Sequence, residues 1–208
     1  MYRGDTMKTT SILNLLYCMF GKKVGFTEEE LNKVTFVSIS RMSFTGTLFD
    51  VDFSELKHFK NLKKICIDHC IIDENVMSII AEIPNLTHVS LYNCEVLDNA
   101  YSSFNKIQTR NLLFSNTKVD MSKVSGYFDS VILENIEISD IECHGSLIDV
   151  SKCNIKDINS VTTSAFKEVV VSNSQYLEFQ IVFDKCNKHI IVMEENGQFE
   201  LKEVSSNG

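Results

Sequence analysis

The chain is 208 residues long, 44% hydrophobic, and carries a formal charge of −8 at pH 7. That length and apolar share suit one folded domain with a continuous core. The acidic balance argues against a nucleic-acid surface, which needs clustered Lys and Arg to displace counterions from phosphates. It favours solubility and, by charge, basic partners. Seven cysteines, an odd number without short paired spacing, do not make the disulfide framework of a small secreted domain.

Residues 12–20 are nearly apolar and follow Met7 and Lys8, as in a secretory signal. However, Asn14 interrupts the run, Lys22 and Lys23 follow it, and no small-x-small cleavage site is present. No stretch reaches the apolar length of a membrane span. The expectation is a cytoplasmic chain, with secretion or surface display as the alternative. Arg3-Gly4-Asp5 is then a chance match to an integrin-binding tripeptide. Ile12, Leu13, Leu15, Leu16, Met19 and Phe20 share a helical face that Gly21 can end. Thr27 ahead of Glu28, Glu29 and Glu30 predicts a capping box and a second helix start. Residues 1–33 therefore read as an amino-terminal helical cap.

From residue 34 a spaced apolar pattern takes over. Its fullest copies span residues 62–72 and 86–96. The first opens at Leu62 with Ile65, Ile67 and Cys70 at the fourth, sixth and ninth positions; the second opens at Leu86 with Val89, Leu91 and Cys94 in the same places. Weaker copies open at Val34, Thr109, Phe128, Gly145, Phe166 and Lys188. Their fourth and sixth positions hold Val37 and Ile39, Leu112 and Phe114, Val131 and Leu133, Ile148 and Val150, Val169 and Val171, and Ile191 and Met193. The LxxLxLxxN/CxL pattern resembles the leucine-rich repeat family over residues 34–198, and residues 26–40 are similar to the approach to the first repeat in internalin-like proteins. The resemblance implies an α/β right-handed solenoid, a horseshoe with a parallel concave sheet. Neighbours stack because one repeat cannot bury its apolar face alone.

The openings at 34, 62, 86, 109, 128, 145, 166 and 188 shorten from 28 residues apart to 17 before lengthening again. After Cys70, Asp73 can cap a helix carrying Val76, Ile79, Ile80 and Ile83 on one face, with Pro84 as its stop. Leu97, Tyr101, Phe104 and Ile107 repeat that spacing in the next connection. Between Val119 and Phe128 there is no room for a helix with its turns, so helices are expected on the convex side of the amino-terminal repeats and shorter extended or 3₁₀ segments later. Leu177, Phe179, Ile181 and Phe183 alternate, as in a last irregular repeat or a closing hairpin. Asn196-Gly197 suits a two-residue turn, so residues 188–208 are expected to form a carboxy-terminal cap hairpin and tail after repeats at 34–187, all in one structural domain.

Ninth-position Cys70, Cys94 and Cys153 are expected to be buried free thiols, in keeping with a reducing compartment. Asn93, Asn116, Asn135 and Asn173 at the eighth position are expected to turn the chain out of each strand. Positions three, five and seven should face the concave solvent side. There Leu113, Ile132 and Leu147, rimmed by Asn111, Ser115, Ser130, Glu134 and Asp149, form an apolar patch with the anatomy of a protein-binding surface. A second, polar patch comprises Lys64, Asp68, His88 and Tyr92.

Catalytic and metal chemistry find little support. Cys66, His69, Cys70 and His88 lack paired metal-ligand spacing. Asp68, His88 and Ser90 lack the organisation of a triad, and no Gly-rich phosphate loop occurs. The expected function is non-enzymatic protein binding through the concave surface, without cofactor or metal, to a protein that is basic if charge governs the choice. A dedicated inhibitor of a partner enzyme, of the immunity or anti-defence kind, and a surface-displayed internalin-like adhesin are the alternatives. Oligomeric state is left open.

Overall fold

The computed structural model describes residues 9–10, 12, 21, 25–41, 50–194, 196 and 198–202. The fold is α/β with mostly parallel strands. The chain divides into two compact units, Met1–Thr87 with Tyr92–Gln108, and His88–Leu91 with Thr109–Gly208.

In the first unit β1 (Thr9–Thr10) opens the described chain, and α1 (Glu28–Asn32) starts on the expected capping box. Thr27 Oγ1 accepts from the Glu30 amide at 3.2 Å, and the Glu30 carboxylate accepts from the Thr27 amide at 2.8 Å. Two of the orphan N–H groups at the helix start are thereby satisfied. Most of the helical face expected over residues 10–20 lies outside the described residues; Thr10 belongs to β1 and Ile12 is buried. The strand β2 (Phe36–Ser40) follows, then β3 (Asp50–Val51), which pairs parallel with β1, then β4 (Lys64–Asp68), parallel to β2. Val37 opposes Ile65 and Ile39 opposes Ile67, and all four are buried.

The strand β5 (Ile71–Ile72) leads into α2 (Glu74–Ala81), where Asp73 Oδ1 accepts from the Val76 amide at 2.9 Å as the cap. Val76, Ile80 and Ile83 are buried on the face the spacing predicted, together with Met77, and the helix stops before Pro84. The unit boundary then runs through β6 (His88–Tyr92). Beyond it β7 (Glu95–Val96) pairs with β5, and α3 (Tyr101–Phe104) is a single turn preceded by a 3₁₀ turn at Asp98–Ala100. Tyr101 and Phe104 are buried, but Leu97 precedes the helix and is exposed.

In the second unit β8 (Asn111–Ser115), β9 (Tyr127–Ile138), β10 (His144–Ile155), β11 (Ala165–Ser172) and β12 (His189–Met193) run parallel in that order. The last strand, β13 (Phe199–Lys202), returns antiparallel on β12, closing the expected hairpin. Leu112 and Phe114, Val131 and Leu133, Ile148 and Val150, and Val169 and Val171 are all buried at their fourth and sixth positions.

Four expectations fail here. In β12 the buried pair is Ile190 and Val192, not Ile191 and Met193, because Val169 opposes Ile190 and Val171 opposes Val192. A one-residue slip exchanges the faces of a strand, and a run of four apolar residues leaves nothing in the sequence to prevent it. The late connections are also not merely extended or 3₁₀: α4 (Ile158–Thr163), capped by Asp157, joins β10 to β11, and α5 (Asn173–Glu178) with α6 (Gln180–Phe183) precedes β12. Asn173, expected at a turn, opens α5 behind a Ser172–Gln175 capping box, and the 177–183 alternation lies on helical turns that expose Leu177 and Ile181 and bury Phe183.

The strand exits are built alike. His69, Asn93, Asn116 and Asn135, all at the eighth position, adopt left-handed φ values of 55°, 49°, 47° and 53°. Asn tolerates this region because its short side chain bonds locally, and His, with Asp, is also enriched there. One residue later a side-chain donor reaches the sixth-position carbonyl of the preceding repeat. Cys94 Sγ donates to Ile67 O at 3.5 Å, Thr117 Oγ1 to Leu91 O at 2.9 Å, and Cys153 Sγ to Leu133 O at 3.1 Å. Gln175 Nε2 does the same to Val150 O at 3.0 Å from one position further on. Cys70 and Cys94 are buried as expected; Cys153 is only half-buried. Burial pushes the thiols up, Cys70 to about 12 and Cys94 and Cys153 to about 11.

Candidate partner-binding face

Because the fourth and sixth positions of β8, β9 and β10 point into the core, the third and fifth must point out. Leu113 opposes Ile132, Ile132 opposes Asp149, Asn111 opposes Ser130, and Ser130 opposes Leu147. Leu147 is therefore a diagonal neighbour of Ile132, and the apolar group is a bent cluster rather than one row. Leu113, Ile132 and Leu147 are each half-buried, and Asn111, Ser130, Glu134 and Asp149 are half-buried around them.

The polar rim is largely committed to itself. The Ser130 hydroxyl donates to Asn111 Oδ1 at 2.8 Å, and Asn111 Nδ2 lies 3.2 Å from His88 Nε2, so one polar chain crosses from β6 to β9. Lys152 Nζ donates to Glu134 Oε1 at 2.7 Å, and this bond, with a hydrogen bond from Ser115, holds the Glu134 carboxyl below its usual range against a smaller opposing effect of burial. Asp149 Oδ1 accepts from the Ser151 amide at 3.0 Å and hydroxyl at 2.7 Å.

Three outward assignments on β8, β10 and β11 need correction, among them Ser151, at a seventh position, which is buried. Ser115, expected on the rim, is buried, and its hydroxyl serves Glu134, so it offers a partner little surface. Val170, at a fifth position, is buried as well. The Sδ of Met193 lies 4.0 Å from the Ser151 hydroxyl two strands away, so the Met193 side chain reaches across β11 at Ser172, its strand partner.

The second expected patch does not assemble as one site within a unit. Lys64, Asp68 and Tyr92 belong to the first unit and His88 to the second, where it joins the Asn111 chain. Lys64 is exposed and Tyr92 half-buried. Asp68 is engaged by its own surroundings: Ser40 Oγ donates to Oδ2 at 3.0 Å, Asn93 Nδ2 donates to Oδ1 at 2.9 Å, and His69 Nδ1 lies 2.7 Å from Oδ1. Burial works to raise this carboxyl, but the three neighbours together outweigh it and hold Asp68 below the usual carboxylate range. Its role at this position is to brace the left-handed turns at His69 and Asn93.

What the sequence reading missed is the shallow depression of about 180 Å³ over β6, β8 and β9, lined by His88, Ser90, Asn111, Leu113, Ser130 and Ile132. Its residues were visible individually; their meeting depends on strand register. No helix among the described residues is long and apolar enough to cross a membrane. Comparison of the chain with protein-family models and with curated proteins finds no match.

Proposed function

We propose that the chain is a non-enzymatic binding module of the leucine-rich-repeat kind, a right-handed solenoid that docks a protein partner on the outward face of β8, β9 and β10. The observation that carries this reading is the cluster of Leu113, Ile132 and Leu147, three aliphatic side chains turned away from a core that their strand neighbours already fill. Apolar side chains gathered inside a polar rim favour an interface, because docking removes their area from water while the rim remains hydrated. The repeat spacing, the buried fourth and sixth positions and the stacked donors at the strand exits support the solenoid.

A dedicated inhibitor is the second reading, favoured by the formal charge of −8, which suits a basic enzyme as target. Ile132→Asp tests the surface. The variant is expected to keep the wild-type thermal midpoint within a few degrees, as the side chain is only half-buried, while a protein retained at one-to-one stoichiometry on immobilised wild type is lost from it. Equal capture by both proteins would move the interface elsewhere, and a captured enzyme silenced by the wild-type chain would select the inhibitor.

A further inference from the structure

Two features of this face lie side by side and ask for different things. The depression over β6, β8 and β9 presents polar groups that are mostly paired already, Ser130 with Asn111 at 2.8 Å and Asn111 with His88 at 3.2 Å, while Ser90 also lines it. What remains to be covered is the aliphatic surface of Leu113 and Ile132. At about 180 Å³ the space suits one side chain rather than a small-molecule cofactor, whose sites run to several hundred Å³.

The neighbouring strands carry carboxylates. Asp149 opposes Ile132 on one side and Val170 on the other, and Glu168 opposes Leu147 and, on the next strand, His189. Glu168 thus precedes the strand partner of Asp149 by two residues, which places the two carboxylates on the same outward side with Cβ atoms roughly 7 Å apart. Glu134 has its cation in Lys152. Neither Asp149 nor Glu168 makes an ion pair among the described residues, and Asp149 commits only Oδ1, to Ser151.

Resting on the binding-face reading above, we infer that the occupant is a peptide segment of the partner with an apolar residue seated against Leu113 and Ile132 and a lysine or arginine reaching Asp149 and Glu168. The spacing follows from the sheet. Strands lie about 4.8 Å apart, so the carboxylates of β10 and β11 sit on average two strand widths, roughly 10 Å, from the Leu113–Ile132 pair. An extended chain crossing the strands at about 3.3 Å per residue places the cation three positions from the apolar anchor. Complementarity of charge selects this occupant over an acidic peptide and over a second copy of this chain, which carries the same charge of −8.

The test is a random dodecamer library displayed on phage, selected on the full chain, with the most enriched peptide synthesised and titrated by fluorescence anisotropy. Apolar-x-x-Lys/Arg sequences are expected to be enriched. Their affinity should fall about thirtyfold or more on Ile132→Asp and about fivefold on Glu168→Gln, whose side chain makes no hydrogen bond or ion pair among the described residues. The double variant Asp149→Asn/Glu168→Gln should lose more, and the loss should shrink in high salt; circular dichroism confirms that each variant is folded. Peptides that depend on Ile132 but lack a cation, or that ignore Glu168→Gln, overturn the cationic partner and leave the binding face in place. A selection that returns no Ile132-dependent peptide overturns both.

Discussion

Gly145 opposes Phe128 so closely that a Cβ on Gly145 would lie 1.8 Å from the Phe128 carbonyl oxygen. Both residues open their repeats, a position filled elsewhere by Leu62, Leu86 and Phe166, all buried. On its other side the same Cβ would meet the Phe166 ring at 3.1 Å. The glycine thus leaves room for the Phe128 carbonyl on one side and the Phe166 ring on the other, and a backbone oxygen cannot swing aside as a side chain can.

Gly145→Ala is therefore expected to destabilise the second unit by about 3 kcal/mol or more, at or beyond the upper end of ordinary overpacking. Chemical denaturation of the variant reads this directly. An unchanged midpoint would mean that β9 and β10 separate at this point.

The thiols give a reactivity prediction. Cys70 and Cys94 are buried and titrate at about 12 and about 11, so at pH 8 their thiolate fractions are on the order of a hundredfold or more below that of a free cysteine. Peptide-resolved iodoacetamide labelling should find both slow in the native state, with rates rising about tenfold per pH unit, and fast in denaturant. Half-buried Cys153 should label before either. Rapid native labelling of Cys94 would contradict its place in the donor ladder.

Asp68→Asn removes a carboxylate held below its usual range by Asn93, His69 and Ser40 against the opposing effect of burial. Such a group stabilises the fold above its unfolded-state value, near 3.9, and the contribution is lost as pH falls through the lower folded-state value. The variant should be less stable than wild type by roughly 1 to 2 kcal/mol at pH 7, with the gap closing in acid. A gap independent of pH between 7 and 3 would argue that the carboxylate charge contributes nothing.

Leu91 is fully buried at a sixth position, and its carbonyl receives the Thr117 hydroxyl. Leu91→Ala should cost roughly 2 to 5 kcal/mol through lost burial and the remaining cavity. Urea denaturation decides it, and a shift within error would place Leu91 outside the core.

The inward pairs from Val37 and Ile39 to Val169 and Val171 were legible in the sequence because each is framed by residues that cannot all be buried, so only one register puts the apolar side chains together. The same holds for the Thr27 and Asp73 caps and for the asparagines at the strand exits, where the physics is local and a few residues suffice. Contacts between strands decided the rest. Ile190 and Val192 turn inward only because β11 pairs with them, within a run whose own pattern allows either face. Residues 177–183 alternate like a strand, yet Ser172 and Gln175 cap a helix ahead of them and Phe183 finds its burial from a helical turn. His88, Asn111 and Ser130 become one polar chain beside Ile132 through alignments set by neighbouring strands, and a separation of 19 or 23 residues along the chain carries no trace of that proximity.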